Sequence, residues 1–153
     1  MKKLCTLLLL SAVIMIGTSC SSSSTSPSTP DGTVVQYYKY IIKNDVKALD
    51  LMALRFVGGT EREREKLNLD IEEKINKYNG NLTTLMFPFN NNGNLTNVEI
   101  IPNDNGEPYT NTTSRLLRDA EAAEVDVLLT FENGSVLQEN HIAVKIDGKW
   151  KIY

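Results

Sequence analysis

One histidine, one tryptophan and two cysteines in 153 residues leave few routes to side-chain chemistry. A lone histidine argues against a histidine-based metal site, which needs several imidazoles at fixed spacing. No glycine-rich phosphate loop, no activated cysteine and no Ser-His-Asp order is present, so neither a metal nor a cofactor is implied. Basic residues are few and scattered: 16 Lys and Arg face 19 Asp and Glu, for a formal net charge of −3. A nucleic-acid or polybasic membrane footprint is therefore not expected. The longest apolar run, Leu4 to Ile16, falls short of the roughly 20 residues that a bilayer-spanning helix needs.

That run is instead an address. Lys2 and Lys3 precede it and Gly17-Thr18-Ser19-Cys20 follows. A basic segment, a short apolar core and small residues before a cut form an export signal over residues 1–19, which is set aside from the fold. The cysteine directly after the small residues resembles the lipid-acceptor cysteine of bacterial lipoproteins, although Gly17 stands where such boxes usually carry leucine. The resemblance implies a chain anchored in the bacterial cell envelope through lipid on Cys20. The alternative is an ordinary secreted protein with Cys20 free or disulfide-linked. Cys5 leaves with the signal, so the mature chain has no internal disulfide and its stability must come from its core. Loss of Lys2 and Lys3 also moves the formal charge to about −5. Residues 20–30, almost all Ser, Thr and Pro, form a flexible tether between lipid and domain. The tether lacks the acidic cluster that marks surface export in some lipoproteins, which favours the periplasmic face. Residues 31–153 then form one domain.

The first half of that domain reads as helical. Thr29-Pro30 pairs a capping hydroxyl with a proline at the first helical position, and Thr33 is the alternative cap. Val34, Tyr37, Tyr38, Ile41 and Ile42 follow at helical spacing, with Gln36, Lys39 and Lys43 pointing away. Asn44-Asp45 breaks the helix, and Asp45 caps a shorter one with Val46, Leu49, Met52 and Ala53 inward, closed by Gly58-Gly59. Thr60-Glu61-Arg62-Glu63 is a capping box opening a third helix. Its apolar positions are Leu67, Ile71, Ile75 and Tyr78, and Asn79-Gly80 ends it in left-handed geometry. The charges from Glu61 to Lys66 read as a solvated face rather than a partner surface.

The second half reads as antiparallel sheet. Leu82 to Phe89 is rich in β-formers, with Leu85, Phe87 and Phe89 on one face and Pro88 confining it to an edge or an end. Asn90 to Asn94 turns, and Leu95 to Ile101 is a strand with Val98 and Ile100 on one side. Asn103-Asp104-Asn105-Gly106-Glu107 lacks the spaced carboxylates and distal glutamate of a calcium loop and reads as a plain turn. Thr110 to Leu117 is a further strand. From Glu124 to Tyr153 three alternating runs are joined by Asn133-Gly134 and Asp147-Gly148, both strong hairpin signals. A two-residue loop at Asn133-Gly134 places Asp126 opposite His141. It also points Gln138 and Asn140 toward the apolar side, opposite Leu129 and Val127. For the second hairpin, a bulged three-residue loop at Gly148 sets Trp150 opposite Val144 and buries it.

Thr29-Pro30 before a tyrosine-rich helix, Asn44-Asp45-Val46 opening a second one, and a final strand reading Asp147-Gly148-Lys149-Trp150-Lys151-Ile152 resemble the DUF4878-type lipoproteins of the NTF2-like superfamily. The resemblance covers essentially the mature domain. It implies an α+β fold in which N-terminal helices pack on a strongly curved antiparallel sheet, forming a cone that often encloses a pocket. Superfamily members include ketosteroid isomerase-like enzymes, transport factors and binding or dimerisation modules, so the resemblance leaves the activity open.

Two sets of residues are candidates for chemistry or binding. Asp126 with His141 could form an acid/base pair, or simply a cross-strand ion pair. Tyr37 and Tyr38 could present hydroxyls to a cone pocket, or simply fill the core; Gln138 and Asn140 could line a polar patch in it. The expectation is a lipid-anchored periplasmic module that binds a small ligand or a protein partner without catalysis, with a homodimer possible. A small-molecule isomerase or hydrolyase using the cone is the alternative.

Overall fold

The structure, a computed structural model, describes residues 27–53, 61–87, 91–115 and 119–153. The expectations for the export signal, Cys20, Gly58-Gly59, Thr60, Pro88, Phe89 and Leu116-Leu117 lie outside these residues. The Thr29 hydroxyl accepts from the Gly32 amide at 3.2 Å and Pro30 takes the first helical position, so α1 runs over Pro30–Ile42. Its stripe buries Val34, Tyr37, Tyr38 and Ile41 while Lys39 and Lys43 stay exposed. Asn44 takes a left-handed φ of 53° and ends the helix. Asp45 then caps Val46–Leu51 by accepting from the Lys47 amide, and this segment winds as a 3₁₀ helix. Helix α2, Glu61–Lys77, buries Ile71 and Ile75, whereas Tyr78 just beyond it is 42% exposed. Asn79 and Gly80 both adopt positive φ, and the Gly80 amide donates to the Ile75 carbonyl at 2.7 Å.

The β-rich stretch after Asn81 is a helix and not a strand: α3, Leu82–Met86. The reason lies in its first amides. The Asn81 side chain accepts from the Thr84 amide at 3.0 Å, and the Asn44 side chain accepts from the Leu82 amide at 2.6 Å. Two asparagines thus satisfy donors that a helix start leaves open, and Leu82 is fully buried in the main core. Tertiary capping outweighs the local β preference of Leu, Thr and Phe.

Five strands follow: β1 Leu95–Ile101, β2 Thr110–Ser114, β3 Ala120–Phe131, β4 Val136–Ile146 and β5 Lys149–Ile152. All pair antiparallel in the order β1-β3-β4-β5. Strand β2 shares with β1 one edge of β3, β1 lying beside Asp126–Phe131 and β2 beside Ala120–Glu124. The excursion between them is a turn around Asn103, whose side-chain oxygen accepts from the amides of Asn105 and Glu107 at 3.0 Å each. Among the described residues no group of His, Cys, Asp and Glu stands together to hold a metal ion. The architecture is α+β, with the N-terminal helices packed on a strongly curled antiparallel sheet. Val125, Val127, Leu129 and Phe131 share the inner face of β3 and meet Tyr38, Ile41, Leu49, Ile75 and Leu82 in one core. Each such apolar side chain contributes about 1.5–3 kcal/mol by leaving water.

Both hairpin registers differ from expectation, and the two differences are linked. At the first hairpin the Phe131 amide donates to the Ser135 carbonyl at 3.0 Å and the Gly134 amide to the Phe131 carbonyl at 2.9 Å. Gly134 has φ +80°. The loop is therefore three residues long with a left-handed glycine bulge. At the second, Asp147 and Gly148 both have positive φ and Ile146 pairs with Lys149, which is an unbulged two-residue turn. The bulge thus sits at Gly134, not Gly148, and Trp150 lies opposite Lys145, not Val144. Trp150 is still buried, at 6% exposure. The first bulge turns His141 and Ala143 inward, and a plain second turn then keeps Trp150 and Ile152 on that same face.

A polar clamp selects the longer first loop. The Glu132 amide donates to the Asn94 carbonyl, the Asn133 side chain donates to the Asn92 side chain at 3.0 Å, and the Glu132 carboxylate accepts from the Asn94 side chain at 2.9 Å. Gly93, between these asparagines, has φ +80°, and a β-carbon there would come within 3.2 Å of Glu132 Cβ. Gly93→Ala is expected to lower stability by about 1–3 kcal/mol, read as a shift in the urea midpoint at unchanged slope.

Candidate functional site

The register of β4 decides which of its side chains meet the helices. Leu137, Glu139, His141 and Ala143 pair with Leu129, Val127, Val125 and Ala123, and so face inward. From α1, the Tyr38 hydroxyl lies 2.6 Å from His141 Nε2, and the rings meet edge to face at 5.4 Å. Tyr37 stacks edge-on against Tyr38 at 5.1 Å. Tyr38 is 2% exposed, whereas His141 and Glu139 are half-buried.

Burial dominates the electrostatics of this cluster. It pushes the Tyr38 phenol well above its usual value, with the neighbouring Tyr37 and the Glu139 carboxylate acting in the same sense. Burial also lowers the His141 imidazole below its usual 6.5, against the opposing pull of the Asp126 charge. At neutral pH the pair is thus a protonated phenol and a neutral imidazole. With the ring proton on Nδ1, the phenol donates to Nε2 and both groups are satisfied. A neutral imidazole at the edge of a core is the protonation state from which a proton can be accepted.

The candidates read from sequence are placed as follows. Asp126 and His141 are not cross-strand partners, because Asp126 pairs with Asn140 and His141 with Val125, on opposite faces of the sheet. Asp126 accepts instead from the Asn140 side chain at 3.0 Å. Gln138 and Asn140 lie on the outer face, exposed, opposite Leu128 and Asp126, so neither amide intrudes on the apolar interior. Tyr37 and Tyr38 are core residues, and the Tyr38 hydroxyl engages His141. Glu139 was missed. Its signal was the pairing of Trp150 and Ile152 with a two-residue Asp-Gly turn, which forces the odd-numbered positions of β4 inward.

Neither the family models nor the curated proteins include a match to this sequence. Among solved structures the chain is similar to a Campylobacter jejuni protein described provisionally as an NTF2-like transpeptidase. Identity is 16% and the TM-score 0.49, over 81% of this chain and 96% of that one. Among the described residues no helix is long and apolar enough to cross a membrane.

Two outcomes are expected from the Tyr38–His141 pair. Tyr38→Phe should cost about 1–3 kcal/mol by leaving a buried ring nitrogen unpaired, measured by chemical denaturation at pH 7.5. The pH dependence has a definite sign. Because folding depresses the His141 value, its stabilising contribution is complete above pH 6.5 and is lost as pH falls from there through the lower folded-state value. His141→Gln should flatten the stability profile below pH 6.5 and leave its alkaline side unchanged.

Proposed function

We propose that this protein is a DUF4878-type lipoprotein of the NTF2-like superfamily, anchored through lipid on Cys20 at the periplasmic face of a bacterial envelope. There it works as a binding or interaction module without catalysis, toward a small ligand or a protein partner. The observation that carries the reading is the internal use of the polar groups in the cone. The Tyr38 hydroxyl is taken up by His141 at 2.6 Å and is 2% exposed, and Asp126 is bonded to Asn140 on the other face. An acid/base pair built for turnover would instead leave its reactive atoms open to a substrate. The leader and Cys20 support the anchor, and the helix-on-sheet arrangement supports the superfamily.

A second reading, a small-molecule isomerase or hydrolyase, is favoured by Glu139 and His141 standing half-buried on the same inner face. The two readings part on turnover. A substrate whose conversion disappears in His141→Ala would establish the second.

The anchor is tested by growing a bacterial host on an alkyne-bearing palmitate analogue. The wild-type chain should take up label and sediment with membranes, whereas Cys20→Ser should remain unlabelled and leave the membrane fraction. Equal labelling of both would sink the lipoprotein reading.

A further inference from the structure

The outer face of the sheet carries a feature that the interior cluster does not explain. A groove of about 330 Å³ is bordered by Thr112, Ser114, Arg115, Glu124, Ile142 and Tyr153. The strand pairing shows how it is built. Glu124 pairs with Ile142, and the Tyr153 amide donates to the Ile142 carbonyl at 2.8 Å, so an acid, an aliphatic and an aromatic residue stand in one cross-strand row. Two residues away along β3 the same face falls to Ala122, whose partners are Thr112 on one side and Val144 on the other. A methyl group between taller neighbours leaves the hollow. Tyr153 is fixed beside it, packed against the buried cluster of Ala53, Ala122 and Val144.

Three properties of this lining restrict what it can hold. Its two charges, Glu124 and Arg115, are opposite, so a ligand of either sign would meet repulsion as well as attraction, and a neutral one is favoured. Thr112 and Ser114 carry hydroxyls, which donate and accept at once and match partners that do the same. Ile142, 37% exposed, and the half-buried Tyr153 add apolar surface beside them. On one sheet face, neighbours stand about 5 Å apart across strands and about 7 Å apart along them. Acid, hydroxyl and apolar groups therefore border a patch the width of a six-membered ring.

We infer that this groove binds the ring of a neutral sugar. Sugar hydroxyls both donate and accept, so they can give to the Glu124 carboxylate, exchange with the Thr112 and Ser114 hydroxyls and accept from the Arg115 guanidinium. The C–H face of the ring covers the apolar surface of Ile142 and Tyr153. The inference rests on the binding-module reading and names its ligand class. Thr112, Glu124 and Arg115 are exposed, so each contact is weak and specificity comes from their combination. A ligand needs hydroxyls on its rim and an apolar face at once. A bare ring lacks the first, and a small ion lacks both.

The test titrates the purified protein, observed by NMR, with the methyl glycosides of glucose, galactose, mannose and N-acetylglucosamine. At least one should bind saturably in the millimolar range and shift the amides of Thr112, Ser114, Ile142 and Tyr153. Thr112→Val and Glu124→Gln, both at exposed positions, should each weaken that binding about fivefold, the scale of one hydrogen bond, and leave the rest of the spectrum in place. Tetrahydropyran, the same ring without hydroxyls, should leave these amides unmoved, as should acetate and methylammonium. The site is overturned if none of the glycosides shifts them at tens of millimolar, or if the bare ring or either ion does so as strongly. Sugar binding that both variants leave untouched would also overturn it, although the binding-module reading would survive that result. Failure of the broader reading looks different: turnover of a substrate that His141→Ala abolishes.

Discussion

The hydrogen bonds that hold the loop Glu132–Gly134 against residues 92–94 determine which half of β4 faces the helices. Strand side chains alternate, so one extra residue in the loop exchanges the whole inner and outer sets. The clamp makes that choice with polar groups alone. The Glu132 carboxylate takes both the backbone and side-chain donors of Asn94, and these bonds hold its pKa below the usual carboxylate value. Everything described for the interior follows from it. His141 reaches Tyr38, Glu139 comes to lie beside them, and Gln138 and Asn140 are sent to solvent.

Burying the Tyr38–His141 pair runs against the apolar character of the core around it. A phenol and an imidazole removed from water cost several kcal/mol if left unpaired, and their mutual hydrogen bond offsets most of that. Leucine and phenylalanine at these positions would pack without the cost. What the polar pair adds is directional: it specifies one seating of α1 on the sheet, where an all-apolar contact would accept several. Burial favours neutral partners here, because a charged imidazole would lose solvation that the Asp126 charge offsets only in part.

Much of this was legible in the amino-acid order. Thr29-Pro30, Asp45 and Asn79-Gly80 acted as caps and stops where their local chemistry required, because each signal is complete within a few residues. The inward stripe of Val125, Val127, Leu129 and Phe131 was equally plain from alternation. What escaped were choices made by distant partners. Asn44 caps α3 across 38 positions, and Asn92 and Asn94 select the hairpin loop across about forty. On β4 itself, Val136, Ile142, Val144 and Ile146 outnumber the apolar residues of the other parity, so counting hydrophobics favoured the wrong face. The candidate site inherited that error, and Glu139 emerged only with the true register.

The bridge between Met52 and Ile152, reinforced by the Ala53 amide donating to the Ile152 carbonyl, ties the end of the first helical segment to the last strand. It runs parallel in an otherwise antiparallel sheet and closes a loop of about one hundred residues. Synthesis delivers the N-terminal side first. The apolar stripe of α1 and the inner side of the 3₁₀ helix must then wait, uncovered, for β3, β4 and β5 to appear. Such a chain gains little from partial assembly and pays its loop-closure entropy late, the regime of slow, non-local folding. Until its final strand arrives, such a polypeptide stays open, with its tyrosine-rich helix uncovered.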